Sequence, residues 1–237
     1  MRRPDEIIPP LTEGQSEIER IPLTEDEEKW IAHLALRAPE DSKRLAQTLR
    51  LVRVAATQVA ELAGEEGREG FVALMGIVRR THELLVGGIV AVNTDNRHLF
   101  AAAMRSLIET VGAAAYVNAQ PDALPSLMKD PVDLAVLVRA AKRHFDGVGR
   151  DYGRLSKWIH PSAASLMGKV LVIDEAERRA AVSIPAPALS AGEVVECARA
   201  LFALGQKLLD LVATLLADHP DAVRRGALLM GLIVPAR

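Results

Sequence analysis

The sequence has one cysteine, few aromatic residues and no long apolar run, and each shortage excludes a class of protein. The single Cys197 among 237 residues rules out an internal disulfide and a site built from several thiolates. Aromatic residues make up 3% of the chain, so no series of rings is available to stack on nucleic-acid bases. The longest apolar runs, such as LLVGGIVAV at 84–92, have about half of the roughly 20 residues that cross a bilayer. We therefore predict a protein without membrane spans.

The charge balance and the N-terminal leader exclude two further classes. Lysine and arginine total 29 and aspartate and glutamate total 31, so the net charge of −2 gives no overall attraction to nucleic acid or to an anionic membrane. Basic residues at positions 2 and 3 are followed by proline and acidic residues, where an export signal needs a continuous apolar stretch. We therefore predict a cytoplasmic protein with no membrane partner.

Motifs for metal or cofactor chemistry are also missing. No HExxH and no Glu-x-x-His pair occurs, and the lone cysteine has no thiol partner. The glycines of GVGRDYG at 147–153 follow no predicted strand, so they lack the context of a nucleotide-binding loop. The sequence predicts neither a metal nor a cofactor.

What is present is mostly helical, and the predicted fold is all-α: an antiparallel helical bundle with a small β-hairpin insertion. Prolines and polar residues without periodicity predict a flexible N-terminal arm over residues 1–23. Residues 24–237 then form a single helical domain. Two stretches rich in β-branched residues predict the hairpin near 169–185. A last apolar helix at about 221–233 is expected to dock on the bundle or on a second copy of the chain.

Capping boxes and periodicity locate the main helices. Thr24 with Glu27, and Ser190 with Glu193, have the spacing in which each side chain satisfies a free N–H of the first helical turn. A third helix shows apolar residues at i, i+3, i+4 and i+7 and includes His82, which we expect to serve the core with one hydrogen bond. The turn NTDN predicts that this helix and the fourth are antiparallel neighbours.

A polar stripe is predicted where the chain reads DYGRLSKWIHPS. Tyr152, Ser156 and His160 follow at i, i+4 and i+8, before Pro161 ends the helix. Polar residues of the fourth helix lie near one line: His98, Arg105, Glu109 and Tyr116. Two interpretations are open. The two lines meet as a polar seam between helices, or they are two exposed helix faces with an ordinary ion pair.

The segment from 139 to 157 is locally basic, with six basic residues against two acidic ones and a local charge of +4. Five of its cations are candidate phosphate contacts: Arg139, Lys142, Arg143, Arg150 and Lys157. The alternative is a solvated basic face with no ligand. Trp158, in the same segment, is expected to be a packing anchor because no aromatic series surrounds it.

Arg154 and His160 have the spacing of the arginine–histidine motif of the HEPN family, a group of helical proteins that this chain resembles. Active members are metal-independent RNases, often toxins or antiviral effectors, in which a dimer brings the arginine and histidine of two chains together. The resemblance implies His160 as a general acid or base and Arg154 or Arg105 as the group that stabilises phosphate charge.

A second resemblance is more detailed. The chain resembles a family of bacterial helical proteins, a domain of unknown function, whose pattern is Arg-x-x-x-Glu followed by Tyr-x-x-Leu-Ser-x-x-x-His-Pro. The matching residues are Arg105, Glu109, Tyr152, Leu155, Ser156, His160 and Pro161. This similarity spans roughly residues 70 to 220 and carries an expectation of fold, not of activity.

Two functions follow as hypotheses. The first is a non-enzymatic helical interaction or regulatory protein, set by the resemblance in a bacterial defence or toxin–antitoxin system and acting as a homo-oligomer or with a protein partner. The alternative is a metal-independent HEPN-type RNase or nucleotide-binding effector, for which RNA is the candidate partner. An open basic cleft around the polar stripe would favour the enzyme, and an internally paired seam would favour the interaction protein.

Overall fold

The structure is a computed structural model that describes residues 18–66, 69–120, 123, 132–144, 148–159, 170–174, 179–182 and 188–217. Seven helices occur in these residues: α1 (Glu25–Ala35), α2 (Pro39–Glu66), α3 (Glu69–Asn93), α4 (Arg97–Ala119), α5 (Leu134–Lys142), α6 (Val148–Ile159) and α7 (Ala191–Ala217). The strands β1 (Val170–Asp174) and β2 (Arg179–Val182) pair antiparallel. The chain is thus of the all-α class, as its sequence predicts.

Four long helices pack around one hydrophobic core. Helix α7 contacts α2, α3 and α4, and α3 packs against both α2 and α4. Each contributes fully buried leucines, among them Leu49, Leu85, Leu107 and Leu208. The predicted apolar face of α3 is the one that enters this core, because the 3.6-residue period places those side chains on one side. Helix α1 covers α2 and α3, while α5 and α6 lie against α4.

A glycine sets the close approach of α5 to α4. A Cβ atom added to Gly112 would meet the backbone carbonyl of Leu137, and backbone cannot move aside as a flexible side chain can. Any larger residue at this position would push the two helices apart. The short helices α5 and α6 are therefore held at a fixed distance from α4, which carries the central polar residues.

Helix α2 contains two residues that are uncommon in helices. It begins at Pro39 and continues through Gly64 to Glu66. Proline suits the first helical position because its missing N–H is one that the first turn leaves free. Glycine costs about 1 kcal/mol inside a helix, which packing against the neighbouring helices outweighs.

The turn between α3 and α4 is fixed by an ionic contact with two other parts of the chain. Asp95 has a φ of 53°, and its Oδ1 accepts from Arg37 Nη2 at 2.8 Å and from the Leu189 N–H at 3.0 Å. Arg37 also donates to the Leu189 carbonyl at 3.0 Å. Burial alone would raise the pKa of Asp95, but the hydrogen bonds from Arg37 and Leu189 outweigh it and lower that pKa. This contact ties the end of α1 and the start of α7 to the same turn.

Replacing Asp95 with asparagine is expected to lower the free energy of unfolding by about 1–2 kcal/mol at neutral pH, because Arg37 loses a charged acceptor. Asparagine accepts the positive φ, so the backbone stays unstrained. Since folding lowers the pKa of Asp95, its stabilising contribution is present above about pH 4 and is lost as the pH falls through the folded-state pKa. Urea denaturation from pH 7 to pH 2 measures this. A parent–variant difference that stays constant over the range would contradict it.

The flexible arm predicted over residues 1–23 needs a correction at its C-terminal end. Ile18 and Leu23 are buried, at 5% and 8% exposure. Arg50 and Arg53 of α2 donate to the carbonyls of Ile21 and Pro22 at 2.9 and 2.8 Å. Residues 18–23 therefore pack on α2 and belong to the domain. The sequence missed this because two isolated apolar residues form no periodic stripe. Residues 1–17 lie outside the described part of the chain.

The remaining predictions of the fold concern the hairpin, the last helix and the membrane. Strands β1 and β2 pair in a register that is irregular between Val170 and Val172. The helix predicted at 221–233 falls outside the described residues. In the part of the chain that the structure describes, no helix has the length and apolar character to cross a membrane.

Candidate functional site

Three of the predicted stripe residues meet in one hydrogen-bonded group, which we call the seam triad: Arg105 and Glu109 of α4 and Tyr152 of α6. Arg105 Nε donates to Tyr152 Oη at 2.8 Å and to Glu109 Oε1 at 3.1 Å. The Tyr152 hydroxyl in turn donates to Glu109 Oε1 at 2.9 Å. The three groups thus form a closed ring of donors and acceptors.

Local and long-range geometry both build the triad. The i,i+4 spacing places Arg105 and Glu109 on one side of α4, and α6 packs along that side. The guanidinium of Arg105 also lies over the Tyr152 ring, with its Cζ atom 5.1 Å from the ring centroid. The Arg105 and Glu109 side chains keep only 23% and 20% of their surface exposed. The contact is therefore partly shielded from solvent.

The electrostatics of the triad keep both proton donors protonated at neutral pH. Burial first, and then the hydrogen bond to Glu109, raise the pKa of the Tyr152 phenol, although Arg105 opposes them. Burial tends to lower the pKa of Arg105, but its hydrogen bonds to Tyr152 and Glu109 raise it overall. Tyr152 is consequently no general base near pH 7, and Arg105 remains a cation whose charge Glu109 balances.

Four predicted stripe residues remain to be located: Ser156, His160, His98 and Tyr116. Ser156 lies on α6, but its side chain is outside the described part of the structure, and His160 lies beyond the described end of that helix. On α4, Tyr116 packs against the hydrophobic core and His98 is exposed. The HEPN pair cannot be placed, because the side chain of Arg154 and the whole of His160 fall outside the described residues.

Four of the five candidate phosphate contacts are described, and all four are exposed: Arg139, Lys142, Arg143 and Arg150. The side chain of Lys157 is outside the described part of the chain. Arg150 lies 3.8 Å from Asp151, and no carboxylate of the described residues pairs with Arg139 and Lys142 of α5 or with Arg143 at its C-cap. The four cations therefore lie on α5, at its C-cap and at the start of α6.

A second polar cluster went unnoticed in the sequence, and it surrounds Glu27, which is 3% exposed. Glu27 Oε2 accepts from the Thr24 N–H at 2.7 Å and lies 3.0 Å from Arg53 Nη2. Its other oxygen, Oε1, lies 2.7 Å from His82 Nε2. The capping-box spacing correctly predicted the contact between Thr24 and Glu27. The spacing carried no sign that α2 and α3 would supply two further partners.

Neither metal binding nor thiol chemistry finds support in the described residues. Among them, no group of three or more histidine, cysteine, aspartate or glutamate side chains is arranged to hold a metal ion. Burial first, and then the charges of Glu193 and Glu196, raise the pKa of the Cys197 thiol to about 11. The thiolate that acts as a nucleophile is therefore scarce at neutral pH.

We also compared the chain with models of known protein families, with curated proteins and with solved structures, and none of the three comparisons gave a match.

Proposed function

We propose that this chain is a non-enzymatic helical interaction or regulatory protein, in which the polar residues of α4 and α6 organise the fold. The observation that carries this proposal is the internal pairing of Arg105 with Glu109 and Tyr152. An arginine that stabilises a phosphate in a reaction directs its donors at the substrate. Here the Nε donor of Arg105 is shared between a phenol and a carboxylate of the same chain.

The protonation states point in the same direction. A general base near pH 7 needs a pKa close to that value, and the pKa of Tyr152 is instead raised above its ordinary value by burial and by Glu109. The triad therefore has a balanced cation, a carboxylate that accepts two hydrogen bonds, and a neutral phenol. Such a set is suited to fixing α6 on α4.

Two finer features belong to the same proposal. One is a HEPN-like arrangement of the helices, supported by the long α3 and α4 pair. The other is self-association or a protein partner, for which the apolar helix predicted at 221–233 is the candidate contact.

Tyr152→Phe is expected to lower the free energy of unfolding by about 1–3 kcal/mol, because it removes two hydrogen bonds to charged groups, one with Arg105 Nε and one with Glu109 Oε1. The matched control is Tyr116→Phe on α4, the only other tyrosine, which packs against the core with its ring. This control should cost less than about 0.5 kcal/mol. Urea denaturation followed by circular dichroism measures both.

The parent and a His160→Ala variant are then incubated with tRNA and mixed RNA in EDTA. We expect no cleavage by the parent and a reduced melting temperature for His160→Ala. The proposal would be overturned by EDTA-resistant cleavage that His160→Ala abolishes while melting like the parent, because a general acid or base commonly contributes 10²–10⁴-fold to a rate. That result would instead establish the HEPN-type RNase with His160 and Arg154.

A further inference from the structure

The exposed face of α5 is a row of cations. Arg139, Lys142 and Arg143 follow at i, i+3 and i+4, so they project from one side of the helix, opposite the buried Ala140 and Ala141. Each lacks an ion-pair partner among the described residues. Like charges at this spacing repel each other and destabilise a helix. The C-terminus of α5 favours cations by at least as much as this repulsion opposes them, so helix stability tolerates the row, and its exposure leaves it open to an anionic ligand.

The row continues onto the neighbouring helix. A Cβ added to Gly149 would meet the side chain of Lys142, so the start of α6, with the exposed Arg150, lies directly beside the end of α5. We call these four side chains the cationic surface: Arg139, Lys142, Arg143 and Arg150.

Among the described residues, one carboxylate neutralises part of this surface: Asp151 lies 3.8 Å from Arg150. Four described cations against this one anion leave a local excess of three positive charges on a chain whose net charge is −2, while Asp146 lies outside the described residues. The excess belongs to Arg139, Lys142 and Arg143.

We propose that the cationic surface binds the phosphodiester backbone of nucleic acid. Arginine and lysine that neutralise phosphates give affinity without reading the bases, and they require exposed cations arranged in a row. The proposal rests on the proposed function in one respect only, that the nucleic acid is bound and not cleaved. The acidic face of a protein is the competing partner.

The composition of the surface favours nucleic acid over a protein partner. Protein interfaces have an apolar centre that is closed to water. In the described part of the chain, the large apolar side chains that are well exposed are Leu36, Val72 and Leu99, and none of them lies on α5, α6 or α7. The one aromatic ring described in α5 and α6, that of Tyr152, has the Arg105 guanidinium over one face. The described side chains of the surface are therefore suited to contacts with phosphates rather than to base stacking.

The test measures binding by fluorescence anisotropy to a 20-bp RNA duplex, a 20-bp DNA duplex and polyglutamate, in EDTA, from 50 to 200 mM NaCl. The variant carries Arg139→Gln, Lys142→Gln and Arg143→Gln. The control removes three exposed cations from α2 and α3 by Lys43→Gln, Arg79→Gln and Arg80→Gln. Both proteins therefore have the same net charge.

The parent is expected to bind a duplex, and the slope of log K against log salt should become shallower by about 2.7 in the variant, since each lost phosphate contact contributes about 0.9. Over this fourfold range of salt, the variant's affinity should fall about 40-fold less than that of the parent. The control should keep the parental slope, and the variant should keep a cooperative melting transition, which shows that it is folded. Binding of the RNA duplex alone, the DNA duplex alone or both shows which nucleic acid the cationic surface accepts.

Three results would overturn the inference: no binding of either duplex at 50 mM NaCl, an equal loss in the control, or polyglutamate bound as tightly as nucleic acid. None of these touches the proposed function, which the stability and cleavage measurements decide. Cleavage of a bound RNA would overturn the proposed function while leaving the cationic surface in place.

Discussion

Replacing Glu27 with alanine is expected to lower the free energy of unfolding by about 2–4 kcal/mol, because it removes the buried carboxylate of a contact whose other two side chains are partly exposed. Glu27 is 3% exposed and lies 3.0 Å from Arg53 Nη2 and 2.7 Å from His82 Nε2. Its loss takes a negative charge away from a guanidinium and an imidazole that are 29% and 24% exposed, at the junction of α1, α2 and α3. The substitution also removes the hydrogen bond to the Thr24 N–H that caps α1.

Glu28→Ala is the matched control, because it makes the same change one residue later on the exposed side of α1. This variant should stay within about 0.5 kcal/mol of the parent. Urea denaturation at neutral pH measures the difference. The free energy of unfolding is fitted with one common dependence on urea concentration for the parent and both variants. Equal stabilities of the two variants would show that neither the helix cap nor the ionic contact of Glu27 contributes measurably to the stability of the fold.

The second large effect is expected at the seam triad, where Glu109→Ala should cost about 2–3 kcal/mol. Both Arg105 and Tyr152 lose their common acceptor, and the partial exposure of the pair, 23% and 20% of the side chains, keeps the cost below that of a fully buried contact. The measurement is again urea denaturation. A cost below about 0.5 kcal/mol would mean that the ring of hydrogen bonds contributes nothing to the stability of the fold.

Tyrosinate absorbance gives the triad a direct signature. In a Tyr116→Phe background, Tyr152 is the only tyrosine. The midpoint of its titration with pH should lie above 10 in the folded protein. Glu109→Gln should lower that midpoint, because it removes a negative charge and a strong acceptor. Arg105→Gln should raise it further, because it removes the cation that favours the phenolate. Shifts of the same sign in both variants would contradict the observed geometry.

The sign of the pH dependence follows from the same contacts. Folding raises the pKa of Tyr152, so the contribution of the neutral phenol to stability is fully present below about pH 10. It is lost as the pH rises through the higher folded-state pKa. Asp95 behaves in the opposite way at acidic pH, since folding lowers its pKa. The two groups stabilise the fold on opposite sides of a broad neutral range.

Placement of the helices was largely predictable from the sequence. The capping boxes at Thr24 with Glu27 and at Ser190 with Glu193 both form, and the apolar stripe of α3 is the face that is buried. These features depend on residues three or four positions apart, whose relative positions the helix geometry fixes before any tertiary contact exists. The ion pair of Arg105 and Glu109 belongs to this class.

The contacts that complete each site depend on residues far apart in the chain. Tyr152 reaches Arg105 across 47 residues, and Arg37 reaches Asp95 across 58. Helical periodicity says which side of a helix is polar, but not which helix covers it or how far along the axis. The packing of residues 18–23 on α2 was missed for the same reason.

The sequence by itself therefore determined an all-α chain with a polar stripe, a basic segment and an arginine–glutamate pair on one helix. Only the tertiary structure decided that the pair shares its hydrogen bonds with Tyr152, that Glu27 lies against Arg53 and His82, and that the cations of α5 remain exposed. The physical reason is that local spacing is set by backbone geometry, whereas the partner of a polar side chain is set by the packing of whole helices, to which leucine and glycine residues throughout the chain contribute.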